Sequence, residues 1–221
     1  MDITLGTRRR TRAALWQAVS EYVEQRHWPV TQGTYLIRHG RRARCCCGRP
    51  TCAAPGMHPA DPQWSTRATD TPSAARRLWS QLPDSTVVLP TGRAFDAISV
   101  PRPAGRCALV RLERMGTPLG PVVATPDGRF LFLVAPGAAG ELPYLLYQMG
   151  WDDAEVDLRC HGPGDYIFAP PSPLGVLGAA EWVRRPDAAD ALPEARLLLG
   201  TIAYSCHRNS PRAGGGLWLA S

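Results

Sequence analysis

Leu15, Trp16, Val19, Tyr22 and Val23 recur at spacings of three and four, which predicts an amphipathic helix over residues 8–26. His27-Trp28-Pro29 ends that period, and residues 30–37 read as a short strand. From residue 38 to residue 70 the period disappears among Arg, Cys, Pro and Gly. A stretch of this composition cannot order itself by burial and needs a staple of another kind. Asp70-Thr71-Pro72 then marks a helix start, with Asp70 or Thr71 as N-cap and Pro in the first turn. Leu78, Trp79 and Leu82 form the apolar side of that helix, which stops before Pro83.

After residue 86 the texture changes to short strands. They are predicted over 86–89, 94–100, 122–124 and 130–134, with a turn at Thr125-Pro126-Asp127-Gly128. Helices are predicted over 106–115 and 141–149, the second with Leu142, Leu145, Leu146 and Met149 on one face. Residues 156–158 and 166–169 read as a last strand pair, because Pro170-Pro171-Ser172-Pro173 cannot continue a sheet. A closing segment, 191–221, follows, with a helix over 191–208 and a Gly-rich tail. Helices and hairpin-like strand pairs alternate irregularly, so the fold class is α+β (mixed α/β), with one domain over residues 1–190. No run approaches the roughly 18–20 apolar residues of a membrane span. MDITLGTRRRTR has no apolar signal core, so a cytoplasmic location is expected.

Charge alters this picture. The 221 residues carry a net charge of +6, and all 25 basic residues are arginine, so no lysine is present as nucleophile or phosphate clamp. Residues 1–49 hold 10 arginines against Asp2, Glu21 and Glu24, whereas the remaining 172 hold 15 against 16 acids. Arg8, Arg9, Arg10 and Arg12 crowd the start of the first predicted helix, the end where its dipole disfavours cations. A basic cluster there suits a phosphate-bearing partner as well as it suits a solvated face. Trp16, Tyr22 and Trp28 lie nearby and suit either base stacking or a core.

The missing staple is in Cys45-Cys46-Cys47-Gly48-Arg49-Pro50-Thr51-Cys52, followed by His58. Zinc takes four soft or borderline donors brought together by tight turns, and Gly48, Pro50, Pro55 and Gly56 supply turns. Cys45, Cys47, Cys52 and His58 are the expected ligands of a structural Zn2+, with Cys46 facing away. Cys46 in place of Cys45 or Cys47 is the alternative register, and His39 is a weaker candidate. A disulfide pair or free, redox-active thiols are the competing readings. Asp61 is the one acid close by, which argues against a catalytic metal there. Cys107, Cys160 and Cys206 stand alone and read as small buried hydrophobes.

Taken in order, "HWPV", "CCCGRPTCAAPGMHP", "ATDTPSAARRLW", "VVLPTGRAFDAISV", "TPDGRFLFLV" and "VDLRCHGPGDYIFAPPS" carry a resemblance. Over about residues 13–185 the chain is similar to the N-terminal domain of bifunctional DNA primase/polymerases, the prim-pol branch of the archaeo-eukaryotic primases. It is especially similar to a degenerate actinobacterial set. The resemblance implies a primase-like fold with an RRM-like sheet and a zinc knuckle inserted over residues 45–58. It further implies an Asp-x-Asp at a strand end, a histidine after a glycine turn, and an Asp on a neighbouring strand. Such acids hold two divalent metals roughly 3.5–4 Å apart for nucleotidyl transfer.

Here the implied acid pair falls on Ser99 and Pro101, and the implied histidine on Phe130. Asp96 lies close by, but on a continuous strand it points to the opposite face. Asp157 alone matches the third motif, with Arg159 and His161 following it. One carboxylate cannot assemble a two-metal site, so Mg2+ or Mn2+ is not expected. The expectation is a catalytically degenerate primase-like zinc protein that binds nucleic acid or a nucleotide in a regulatory or DNA-transaction role. Arg93, Arg129 and Arg159 would replace the metals as phosphate ligands beside the N-terminal arginines. An active primase with a rearranged metal site and a protein-interaction module on a retired scaffold are the alternatives.

Overall fold

The computed structural model describes residues 3–40, 42–151, 156–187 and 191–210, the side chains of residues 3–5 and 39 excepted. The first apolar stripe forms α1 (Ile3–Ser20), continued by a π-helical turn, Glu21–Gln25. The expected single strand over 30–37 is two, β1 (Thr31–Gly33) and β2 (Leu36–His39), and β3 (Arg42–Cys45) pairs with β2 as a hairpin. One helical turn, α2 (Trp64–Arg67), precedes α3 (Pro72–Gln81), whose Pro stands in the first turn as its sequence predicts. Then come β4 (Thr86–Pro90), β5 (Asp96–Pro101), α4 (Arg102–Arg114), β6 (Val122–Ala124), β7 (Arg129–Val134) and α5 (Ala138–Gln148). The remainder is β8 (Arg159–His161), β9 (Tyr166–Phe168), β10 (Pro173–Leu174), β11 (Gly178–Ala179), β12 (Glu181–Arg184) and α6 (Ala195–Arg208).

A five-stranded antiparallel sheet has the order β12-β6-β7-β5-β8, and a three-stranded one the order β1-β4-β9. The run β5-α4-β6-β7-α5-β8 is a β-α-β-β-α-β unit with its first strand central. Alternation along β5 sends Ile98 and Val100 toward a helix layer of α4, α5 and α6. It sends Ala97 to the other face, where Leu131 and Leu133 meet Tyr22, Trp28, Phe95 and Leu89. The sheet is therefore buried on both faces over most of its area. That explains why its strands read as apolar runs rather than as alternation.

Several expectations change here. The last strand pair does not exist: β8 begins at Arg159, not over 156–158, and pairs with β5, whereas β9 pairs with β4. The proline run ends β9 but does not exclude pairing, because Pro173 opens β10, which pairs with β11, and Trp182 then returns the chain to the large sheet beside Val123. Helix α6 is no appendage, because Leu198, Leu199 and Ile202 are fully buried in the helix-layer core. The Gly-rich tail over 212–221 lies outside the described residues. Among the described residues no helix is long and apolar enough to cross a membrane.

The Thr91-Gly92 loop between β4 and β5 is locked to the segment after β8. Thr91 donates from Oγ1 to the Gly162 carbonyl at 2.6 Å and from its amide to the Asp165 carbonyl at 3.0 Å. Gly92 has φ +91°, and a Cβ there would collide with the backbone N and Cα of Pro163. Gly92→Ala is expected to cost about 2–4 kcal/mol, read as a lowered denaturant midpoint with unchanged slope.

Candidate functional site

The hairpin β2–β3 delivers Cys45 to the wall of a loop that runs from residue 46 to residue 59. The donor atoms of Cys45, Cys47, Cys52 and His58 all lie within 4.8 Å of one another. A tetrahedral ion with bonds of about 2.3 Å to sulfur and 2.0–2.1 Å to nitrogen separates S and N by roughly 3.6 Å. Cys45 Sγ and His58 Nε2 are 3.5 Å apart. His58 Nδ1 faces the Pro59 carbonyl at 2.7 Å, which leaves Nε2 as the ligating nitrogen. The Gly56 amide donates to Cys45 Sγ at 3.3 Å. Burial pushes the Cys45 thiol up, but amides of Cys47 and Gly56 outweigh that and bring it down to about 6. The set fits one metal ion held by three thiolates and a neutral imidazole.

Cys46 stands outside the cluster. Its sulfur accepts the Tyr35 amide at 3.3 Å, its own amide donates to the Tyr35 carbonyl at 3.0 Å, and burial pushes its thiol up. Asp61 pairs with Arg67 at 2.8 Å. The His39 side chain lies outside the described residues. The sequence contains no sign of Thr34, which grips the loop from behind: its amide and Oγ1 both donate to the His58 carbonyl, at 2.8 and 2.9 Å.

The second cluster lies at the Pro101 end of β5. Register places Ser99 opposite Leu131 and Arg159, and Pro101 opposite Arg129, so Ser99, Arg129 and Arg159 share one face across three strands. Arg129 is held from both sides. Its Nε donates to Ser99 Oγ at 3.0 Å and its Nη2 to the Ser99 carbonyl at 2.9 Å. Its Nη1 lies 2.8 Å from each oxygen of Asp157. Arg159 is exposed on the same face, and His161 beyond it contacts the Asp165 carboxylate.

Phe130 is not part of this group. It pairs with Val100, is 4% exposed, and packs in the helix-layer core, where its Cβ comes so close to Gly105 that a Cβ there would stand 2.6 Å away. The side chain that reaches the Ser99 face after the glycine turn is Arg129, one residue earlier. Asp96 faces away from Ser99. Fully buried, it accepts the Gly137 and Ala139 amides at the start of α5 at 3.1 and 2.9 Å. Arg93 is exposed in the loop before β5, and no carboxylate pairs with it among the described residues. Cys160 and Cys206 are pushed up to about 12 by burial, whereas Cys107 is exposed, against expectation.

The N-terminal arginines divide into two pairs. Helix α1 starts at Ile3, so Arg8–Arg12 are not in its first turn, and the dipole conflict is absent. Arg8 and Arg12, one turn apart, clasp Asp84, with Arg12 Nε and Nη2 at 2.6 and 2.7 Å. Arg9 and Arg10 are exposed. The Arg12 and Arg8 guanidiniums hold the Asp84 carboxyl at about 2, below the usual carboxylate range. A lowered folded-state value means that this contribution is complete above about pH 4 and is lost as pH falls toward 2. Asp84→Asn is expected to flatten the acid limb of stability between those values, in melts taken at 0.5-unit steps. Tyr22 and Trp28 are core residues, and Trp16 is half-buried with Arg76 5.7 Å from its ring.

Comparisons with curated proteins and with solved structures return no match. Residues 19–195, most of the chain, match the family described as "Bifunctional DNA primase/polymerase, N-terminal". That span takes in the Cys/His cluster, all of β5, the Arg129–Asp157 contact and the start of α6, so the chain belongs to the Prim-Pol family.

Proposed function

We propose that this Prim-Pol domain has given up two-metal nucleotidyl transfer and holds the phosphates of nucleic acid or a nucleotide on the face around Arg159. In this reading the Cys/His cluster holds zinc as a structural staple, and the protein serves a regulatory or DNA-transaction role. The β-α-β-β-α-β connectivity supports the RRM-like reading of the sheet. One observation carries the loss of catalysis: the Arg129 guanidinium sits on both oxygens of Asp157, the sole acid matching the three motifs. A divalent pair would need that carboxylate free and two more beside it, where Ser99 and Pro101 stand. Arg159, Arg93, Arg9 and Arg10, exposed and without a carboxylate partner among the described residues, are the leading phosphate contacts. Arg8, Arg12 and Arg129 are engaged in ion pairs and contribute less.

The test joins primer extension to binding. With Mg2+ or Mn2+, no template-dependent extension is expected, and extension abolished by Asp157→Ala would overturn the reading. A 20-nucleotide single strand is expected to bind with affinity that falls steeply with salt. Arg159→Glu is expected to weaken it about five- to tenfold and to flatten the salt slope by about one. No binding at low salt would replace this reading with a pure protein-interaction module.

A further inference from the structure

Helices α4 and α6 pack side by side on the back of the five-stranded sheet, away from the Arg159 face. Their sequences hold six arginines, Arg102, Arg106, Arg111, Arg114, Arg196 and Arg208, against one acid, Glu113. The near-neutral charge of residues 50–221 conceals this, because the acids lie elsewhere. Arg196 pairs with Glu194, and Arg102 donates to the Thr125 carbonyl at 2.8 Å. Arg106, Arg111 and Arg114 have no carboxylate partner among the described residues.

These three line a groove of about 480 Å³ together with Val110, and Arg111 and Arg114 also border a second depression of about 380 Å³ with Met115 and Tyr204. The apolar side chains between the cations are open to solvent: Val110 is 45%, Met115 66% and Tyr204 42% exposed. Arg111 lies 4.7 Å from the Tyr204 ring centroid, so its guanidinium is already held in place. Uncompensated arginines interleaved with Tyr, Met and Val are the composition of a protein-binding patch. A sugar-phosphate backbone would satisfy the arginines but leave Met115 and Val110 against polar atoms. The 13 residues of α4 span roughly 20 Å, the length of a three- to four-turn helix.

We propose that the α4–α6 surface docks an acidic amphipathic helix of a partner protein. Glutamates or aspartates of that helix would flank Arg106, Arg111 and Arg114, and its apolar stripe would cover Val110, Met115 and Tyr204. This inference is independent of the reading of the Arg159 face.

The test uses the isotope-labelled full chain and three probes. They are an 18-residue synthetic helix with Leu at i, i+3, i+4 and i+7 among Glu, the same peptide with Ser for Leu, and oligodeoxythymidine of 20 nucleotides. The Leu/Glu peptide is expected to shift amide resonances of α4 and α6. It is expected to bind at least tenfold more tightly than the Ser peptide, and at least tenfold less tightly to R111E/R114E. Val110→Ser/Met115→Ser gives a second, uncharged variant with the same expected loss, should charge reversal impair folding. Shifts confined to other elements, equal affinity for both peptides, or oligodeoxythymidine seated on α4 and α6 and lost in R111E/R114E would each overturn the proposal.

Discussion

Stripping metal from the protein is expected to lower its thermal midpoint by about 10 °C or more, and ligand variants are expected to reproduce that loss without a chelator. The reason is structural. The chain from residue 46 to residue 59 turns at Gly48 and Gly56, and none of its side chains belongs to either of the two cores. Its order rests on the four converging donors, on Thr34, and on the Gly33–Pro59 bridge. Without an ion, three thiol groups and an imidazole within 4.8 Å lose their common partner, and the hairpin β2–β3 loses the loop that packs on it. Structural zinc sites in isolated small domains are worth about 10–16 kcal/mol. Here two larger cores survive, so a loss of about 4 kcal/mol is expected, equivalent to roughly 10 °C in a domain of this size. The variants also decide the register. Cys47→Ser and Cys52→Ser are expected to reduce bound zinc from one per chain to near zero. Cys46→Ser is expected to retain it and to shift stability by less than about 1 kcal/mol, because a hydroxyl can still accept the Tyr35 amide. Retention of metal by Cys47→Ser, with loss in Cys46→Ser, would exchange the two cysteines.

The parts of the fold legible in the sequence are those whose cause is local. Pro72 after Thr71, Leu78 and Trp79 on the inner side of α3, the Thr125–Gly128 turn and the Cys/His spacing that gathers four donor atoms each carry a short-range signal, whereas Leu82, expected on the same stripe, caps α3 and is 44% exposed. The strands β8 and β12 were not legible because their pairing is decided by distant partners. Arg159 joins a sheet through Ser99, and Trp182 through Val123. The facing of Phe130 away from Ser99 has the same origin: period 2 makes adjacent strand positions opposite in facing, and only the β5–β7 register distinguishes Phe130 from Arg129. Asp84 carried no signal at all, since its two arginines lie more than 70 residues away. The arginines of α4 and α6 were visible one by one, but their concentration on one surface is a property of helix packing.

Charge reversal at Arg129 is the expected route to a protein that answers to divalent metal. In the native chain the guanidinium closes the Ser99–Asp157 gap with bonds of 2.8–3.0 Å, and Ser99 is itself 3% exposed. Arg129→Glu removes those donors, leaves the Ser99 carbonyl without its guanidinium partner, and sets a second carboxylate beside Asp157. The cost is expected to be about 2 kcal/mol, the sum of a lost half-buried donor and a like-charge contact screened by the 55% exposure of Asp157. Two facing carboxylates with a neighbouring hydroxyl then form an oxygen-rich pocket suited to a hard cation. Mn2+ at ten times its dissociation constant returns about 1.4 kcal/mol, so a partial recovery of the melt in millimolar Mn2+ is expected for this variant and not for the native protein. Arg159→Glu makes the same charge change on the same face without touching the Arg129 bonds. It is expected to cost under about 1 kcal/mol and to show no comparable recovery. The comparison isolates position from charge. If native protein gains as much from Mn2+ as Arg129→Glu does, the guanidinium does not occupy the place of a metal, and the account of lost catalysis fails with it.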